Sequence, residues 1–255
     1  MARTRSSEAR AALAAAGPAV LGAGATRAAA IADGIRAAIL AGTLAPGARI
    51  RLEELKAQFR VSWSPLREAM SRLLAEGLLQ LDEGRAWRVA PVSRVELAEV
   101  IRLRCLLETL ALRESIARGD DAWEANVLAA HHRLSKLEGR RDEPGGMQDW
   151  EAWHRAYHFS LIAACGSPLL LQLCGQLHDL NTRYRRLFLS AYPFDRDVPA
   201  EHRALTAAVI ARNADRACAL LEKHIGRTGR NIVAAMAEPS SRPRRTAEAT
   251  ASRTS

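Results

Sequence analysis

Aromatic residues are scarce in this chain, at 5% of its 255 residues, although 48% of the residues are hydrophobic. Ala and Leu supply the apolar character, which favours helices packed through small ridges over a β-rich fold. No segment reaches 18 consecutive strongly apolar residues, so no membrane span is expected. The four cysteines, Cys105, Cys165, Cys174 and Cys218, are scattered without a CxxC, each in an apolar helical context. They read as reduced core residues of a cytoplasmic protein. There is no GxSxG, no phosphate-cradling Gly-rich loop and no HExxH, so no nucleophile signature competes and the chain reads as a non-enzyme. No internal repeat is evident.

Length and charge are what the chain does have. At 255 residues it fits two domains. Charged residues at 25% point to a folded soluble protein, and a net charge of +9 predicts attraction to polyanions such as nucleic acid or an anionic membrane. Arg3 and Arg5 precede an Ala/Gly run from Ala11 to Ala25 that Gly17-Pro18 interrupts. Weakly apolar and without Leu-rich character, the run reads as a disordered basic tail over residues 1–26 rather than a signal peptide. Residues 237–255, rich in Ser, Thr, Pro and Arg, read as a second disordered tail.

Residues 27–92 form a first compact unit. Ile31, Ile35, Ala38 and Ile39 give a helical stripe from about Arg27 to Ala41, which Gly42 ends before a Pro46-Gly47 turn. A short second helix holds Leu52, Leu55 and Phe59. Ser64 is the expected N-cap of a third helix, with Pro65 at N1 and Leu66, Met70, Leu73 and Leu74 on one face; Gly77 stops it. Leu78–Leu81 and Trp87–Ala90 read as strands around a turn at Asp82-Glu83-Gly84, and Pro91 ends the second. Three short helices followed by a basic strand pair describe a winged helix-turn-helix.

The second unit, residues 93–236, is all-helical by period. Ser93-Arg94-Val95-Glu96 is a capping box that opens it. Helices are expected over about 94–118, 121–138, 148–165, 168–191, 199–213 and 215–236, the last capped by Asp215. The fold class is therefore mainly α, a winged helix-turn-helix followed by a helical bundle.

Three sets of side chains can carry chemistry. The third helix would enter the major groove by its start, where Ser62, Trp63, Ser64 and Arg67 lie. Arg67 can read guanine with two hydrogen bonds or clamp a phosphate, while Arg36, Arg51, Arg72, Arg85 and Arg88 can supply phosphate contacts. In the helical half, His154 and His158 face the same way at i, i+4, and His202 and His224 lie on two later helices. Three helices offering inward imidazoles can build a metal site suited to zinc, nickel, copper or iron, or the HxxxH pair can simply be packed. His131, His132 and His178 do not fit the set and read as exposed or core-edge residues. Finally, Arg104 and Glu108 are spaced to pair with each other, and Arg183, Arg185 and Arg186 crowd around Tyr184. An inward Arg beside a metal would hold a carboxylate ligand.

Two segments, Leu44-Ala-Pro-Gly-Ala-Arg-Ile-Arg-Leu52 and Val61-Ser-Trp-Ser-Pro-Leu-Arg-Glu-Ala-Met70, resemble the DNA-binding domain of the GntR family of bacterial transcription regulators. Residues 96–230 are similar to the all-helical effector domain of its FCD subgroup. Arg104-Cys-Leu-Leu-Glu108, Tyr157-His-Phe-Ser-Leu-Ile-Ala-Ala-Cys-Gly-Ser-Pro168, Glu201-His-Arg-Ala-Leu205 and Glu222-Lys-His224 carry that likeness in order.

The resemblance implies a ligand-responsive repressor or activator that binds a palindromic operator on double-stranded DNA as a homodimer. It also implies a divalent metal, zinc being the expected ion, held by an acid and three histidines beside a pocket for a small carboxylate effector. His158, His202 and His224 fall on the histidine positions, but the acid position, four residues before the first histidine, is His154. Four neutral imidazoles leave a metal's charge uncompensated unless a ligand carboxylate supplies it; Glu151, near one turn earlier, is the other acid within range. Two more departures touch DNA reading: Trp63 stands where the family usually has Arg, and Arg85-Ala86 where its wing carries Arg-Gly.

The expected function is a DNA-binding transcriptional regulator, read as a repressor. The effector-binding residues are expected to be Arg104, Arg183 and Arg186, with His154, His158, His202 and His224 as metal ligands. Two alternatives stay open: a metal-dependent enzyme using the histidines, and a DNA-binding protein with a ligand-blind bundle.

Overall fold

A computed structural model describes residues 26–82, 86–140, 143, 145–189 and 197–237. The winged half opens with α1 (Arg27–Leu40), capped by the Thr26 hydroxyl, which accepts from the Ala29 N–H at 3.2 Å. Its buried face of Ala28, Ile31, Ala32, Ile35, Ala38 and Ile39 follows the helical period. After β1 (Arg49–Ile50) come α2 (Leu52–Phe59) and α3 (Trp63–Ala75). Between these helices Arg60 turns the chain at φ 51°, and Gly77 at φ 73° releases it from α3 into β2 (Leu79–Leu81). The strand β3 (Trp87–Val89) returns between its partners, so the antiparallel sheet order is β1-β3-β2. Two pairs fix the register, Ile50 against Trp87 and Leu79 against Val89. At two residues, β1 is too short to show a strand alternation, which is why periodicity gives only the wing strands.

Two local expectations are corrected. α3 begins at Trp63 with Ser62 at the N-cap position, so Ser64 and Pro65 lie inside its first turn. Proline is tolerated there because first-turn N–H groups have no intrahelical acceptor anyway. The last helix is capped by Asn213, whose side-chain oxygen accepts from the Arg216 N–H at 3.0 Å, rather than by Asp215. The wing tip and the expected tails lie outside the described residues, except Thr26, which caps α1, and Ala237, which ends the last helix.

The helical half comprises α4 (Arg94–Arg118), α5 (Asp121–Leu137), α6 (Gly146–Ile162), α7 (Pro168–Leu189), α8 (Val198–Ile210) and α9 (Ala214–Ala237). Its core gathers Leu112, Val127, Leu134, Tyr157, Leu161, Leu205, Val209 and Leu221. Ser93 caps α4, accepting from the Glu96 N–H at 3.0 Å. The reciprocal half of the expected capping box is replaced: the Tyr184 hydroxyl accepts from the Ser93 N–H at 2.9 Å, and the Glu96 carboxylate accepts from Tyr184 instead. Tyr184 thereby ties α7 to the junction between the two halves.

α7 is the element that joins them. Leu180 packs against the core of the winged half. Arg183 is fully buried and donates to the Ala90 carbonyl just past β3. This places three faces of one helix against three surroundings, since Asn181, Arg185 and Leu189, at i, i+4 and i+8, share yet another direction. Of the cysteines, Cys165, Cys174 and Cys218 are buried and Cys105 is half-buried, all four as free thiols.

Candidate functional site

α6 presents His154 and His158 one above the other, α8 supplies His202 and α9 supplies His224. Each offers one ligand nitrogen, and these atoms all lie within 4.8 Å of one another. All four side chains are buried. Trp150 stacks on His154, with ring centroids 4.5 Å apart and planes 22° from parallel.

Carboxylates stand behind two of the rings. Glu201 Oε2 is 2.8 Å from His224 Nδ1, and the other oxygen of that carboxylate, Oε1, accepts from Arg227 at 2.9 Å. Glu138 Oε1 is 3.4 Å from His202 Nδ1. A carboxylate accepting from Nδ1–H fixes the tautomer and turns the Nε2 lone pair away from itself, as in carboxylate–histidine–metal triads. His158 has no such support: both its ring nitrogens are buried without a hydrogen-bond partner. A buried polar group left so costs about 1–3 kcal/mol, which an ion at this point would offset. Burial holds His154 and His158 well below the ordinary histidine range, reinforced by Arg185 for His154 and by His224 and His202 for His158. Neutral imidazoles keep the lone pairs that zinc binding requires. On donor chemistry, burial and the unsatisfied His158, the residues fit a divalent transition metal.

The tetrad opens onto a cavity of about 320 Å³ that is lined by His154, His158 and His224 together with Arg104, Glu151, Asn181, Arg185 and Arg186. That is the size of a small-molecule pocket. Arg185 donates to the Glu151 carboxylate and also lies 3.3 Å from His154 Nδ1 through Nη1. Arg186 Nε is 3.9 Å from the other Glu151 oxygen. Arg104 and Glu108 form the intrahelical pair that their spacing predicts, at 2.6 Å and almost wholly buried.

Two expectations are corrected here. Arg183 does not reach the cavity; it points to the domain junction, while Arg185 occupies the position expected of it. One helical position is about 100°, enough to exchange two neighbouring arginines between faces. His178 is not a surface residue: it is buried beside the tetrad, 3.3 Å from Arg155 Nη1 and 3.4 Å from Thr182 Oγ1 through Nδ1. His131 is half-buried against Tyr157 and His132 is exposed. The sequence pattern missed Asn181 and the cavity position of Arg185, which it named only among the arginines around Tyr184, and it missed Glu138 and Glu201. The i, i+4 spacing of Asn181 and Arg185 and their offset from Arg183 is the signal that could have found the first two.

On the winged half, Ser62, Ser64 and Arg67 are exposed at the start of α3. Trp63 is half-buried, packs against the winged core and carries Lys56 Nζ 4.6 Å above its ring. Arg72 is exposed and pairs with Glu68. Arg36 bridges to Glu76 at 2.7 and 2.9 Å and pairs with Asp33, so its guanidinium is engaged in joining α1 to the end of α3. Arg88 is held by Asp82 at 2.8 Å and by the Gly47 carbonyl at 3.2 Å. Arg85 lies outside the described residues.

Comparison with known proteins agrees with this division. Residues 27–89 match the family model described as bacterial regulatory proteins, gntR family, and residues 99–227 match the FCD domain. The chain is 37% identical over 191 residues to the HTH-type transcriptional repressor GlaR of Escherichia coli (strain K12), covering 73% of this chain and 87% of that protein. It is 39% identical over 193 residues to the HTH-type transcriptional regulator BphR of Paraburkholderia xenovorans (strain LB400), covering 75% and 79%. The solved structure of E. coli McbR/YncC shares the fold, with a TM-score of 0.69 at 20% identity over 83% of this chain and 98% of that one.

Proposed function

The chain belongs to the gntR family of bacterial regulatory proteins and carries an FCD domain; from that premise we propose how its ligand-responsive control of transcription is built. The helical half holds one divalent ion, zinc, on His154, His158, His202 and His224, and admits a small carboxylate to the adjoining cavity. Arg104, Arg185 and Arg186 offer guanidinium donors to the ligand carboxylate, and Asn181 adds a neutral polar group. A bound zinc ion would act there as a Lewis acid for the carboxylate oxygen.

The single observation that carries this reading is the placement of α7. It lines the cavity with Asn181, Arg185 and Arg186, and packs on the winged half with Leu180 and Arg183. A ligand that binds one position of α7 better than another shifts the DNA-binding half with it; without such a difference it could not alter DNA affinity. The protein acts in the cytoplasm as a homodimeric repressor on a palindromic operator. The start of α3 reads base edges through Arg67, with Ser62 and Ser64 on the backbone and Trp63 against a thymine methyl. Arg72 and the wing arginines Arg85 and Arg88 contact phosphates.

Selection of bound duplexes from a random pool tests the DNA side, with an inverted repeat as the expected product. Thermal-shift screening of organic acids, with and without chelator, tests the sensing side. The expected outcome is an acid that stabilises only the metal-loaded protein and changes its affinity for the selected duplex. A stabilising acid that leaves duplex affinity unchanged would refute the control proposed here.

A further inference from the structure

The tetrad contains no anionic ligand, and the acids around it are engaged elsewhere. Glu108 is bound by Arg104, Glu151 by Arg185 and Arg186, Glu201 by Arg227 and His224, and Glu138 by His202. Glu143, which also lines the cavity, is held by Arg140, so among these described residues five guanidinium groups (Arg104, Arg140, Arg185, Arg186, Arg227) balance five carboxylates (Glu108, Glu138, Glu143, Glu151, Glu201). A divalent ion on four neutral imidazoles would leave its whole charge uncompensated in a buried site. The acid with the nearest sequence position, Glu151, is turned into the Arg185 guanidinium, and that guanidinium also approaches His154. Moving Glu151 to the ion would take its charge from Arg185 and Arg186, so an internal carboxylate only moves the deficit.

Resting on the metal site proposed above, we infer that metal and effector anion bind as one unit: zinc affinity at this site is conditional on an exogenous anion, with His154 as the residue that makes it so. Coupling of this kind is reciprocal, so the ion raises the affinity for the anion by the same factor. The cavity beside the tetrad gives the anion its entry, and Arg185 lies where a carboxylate on the ion could touch both. An acid at position 154 would instead compensate the ion from within and allow it to bind alone. In this chain the metal is a co-ligand of the effector rather than a standing part of the fold.

Competitive zinc titration of the full chain tests this, in sodium acetate or sodium azide and in sodium perchlorate of equal ionic strength. Native protein is expected to bind zinc at least roughly tenfold tighter with acetate or azide than with perchlorate. His154→Asp is expected to bind zinc at least about tenfold tighter than native in perchlorate, and to lose most of the anion dependence. Equal zinc affinity of the native chain in all three salts would overturn the coupling while leaving the metal site standing. Absence of zinc binding by both proteins in every salt would overturn the metal site itself. Should His154→Asp fail to fold, the anion dependence of the native chain decides alone.

Discussion

Arg67 and Arg183 show how differently one residue type is used in this molecule. Arg67 is exposed at the start of α3, where it can meet base edges. Arg67→Ala should weaken specific duplex binding by roughly 1–3 kcal/mol in a titration at fixed salt. Unchanged affinity would remove it from the reading surface. Arg183 is fully buried, and two of its nitrogens, Nε and Nη1, have no partner. Burial accordingly pushes its pKa below the ordinary arginine value. An apolar side chain of similar length avoids that desolvation cost and gives up one hydrogen bond to Ala90. Arg183→Met should leave unfolding free energy within about 1 kcal/mol of native, or raise it. A loss of several kcal/mol on chemical denaturation would show the buried charge to be a net stabiliser. Sequence order could not tell these arginines apart, nor Arg183 from Arg185, because function here depends on which face a position takes.

At the scale of elements, helices were legible wherever an apolar stripe met a cap. The 25 residues of α4 run from the Ser93 cap to Arg118, as the capping box and periodicity predict. β1 was not legible, since its two residues acquire strand character only by pairing with β3. The histidine set was legible in part: i, i+4 spacing gives the α6 pair, whereas its meeting with α8 and α9 is a property of the bundle. Close helix approach is another such property. A Cβ on Gly229 in α9 would lie 2.7 Å from Cγ1 and 3.0 Å from Cδ1 of Ile101 in α4. Gly229→Ala therefore forces the two helices or the Ile101 side chain to shift, and should lower stability by about 1–3 kcal/mol despite the better helix propensity of Ala. Pairing it with Ile101→Val should recover part of that loss in the same denaturation assay. No recovery would mean that the strain lies elsewhere.

Across the whole molecule, the winged half and the helical half are joined by α7, and the helical half is built around buried imidazoles. His178 is one that lies outside the tetrad. Burial holds its pKa well below the ordinary histidine range, and the charges of Arg104, His158, Arg155 and Arg185 act in the same direction. An unfolded histidine takes up a proton near a pH of about 6.5, while this folded one resists until lower pH. Its contribution is therefore fully present above that value and is lost as pH falls from there towards the folded-state pKa. In chelator, thermal unfolding should show a falling Tm below about pH 6.5, with a shallower fall in His178→Gln. An identical pH profile in that variant would remove His178 from the explanation.

The proposed control of the DNA-binding half rests on ion binding by the buried histidine tetrad of the helical half, so the most direct measurement is zinc content and affinity in native protein and in His158→Ala. His158 is the ligand whose two ring nitrogens have no other partner, and its loss leaves the carboxylate-backed His202 and His224 in place. Native protein saturated in acetate should hold one zinc ion per chain, and His158→Ala should bind it at least about tenfold more weakly while remaining folded by circular dichroism. Equal zinc stoichiometry and affinity in the two proteins would contradict the tetrad as the ion site.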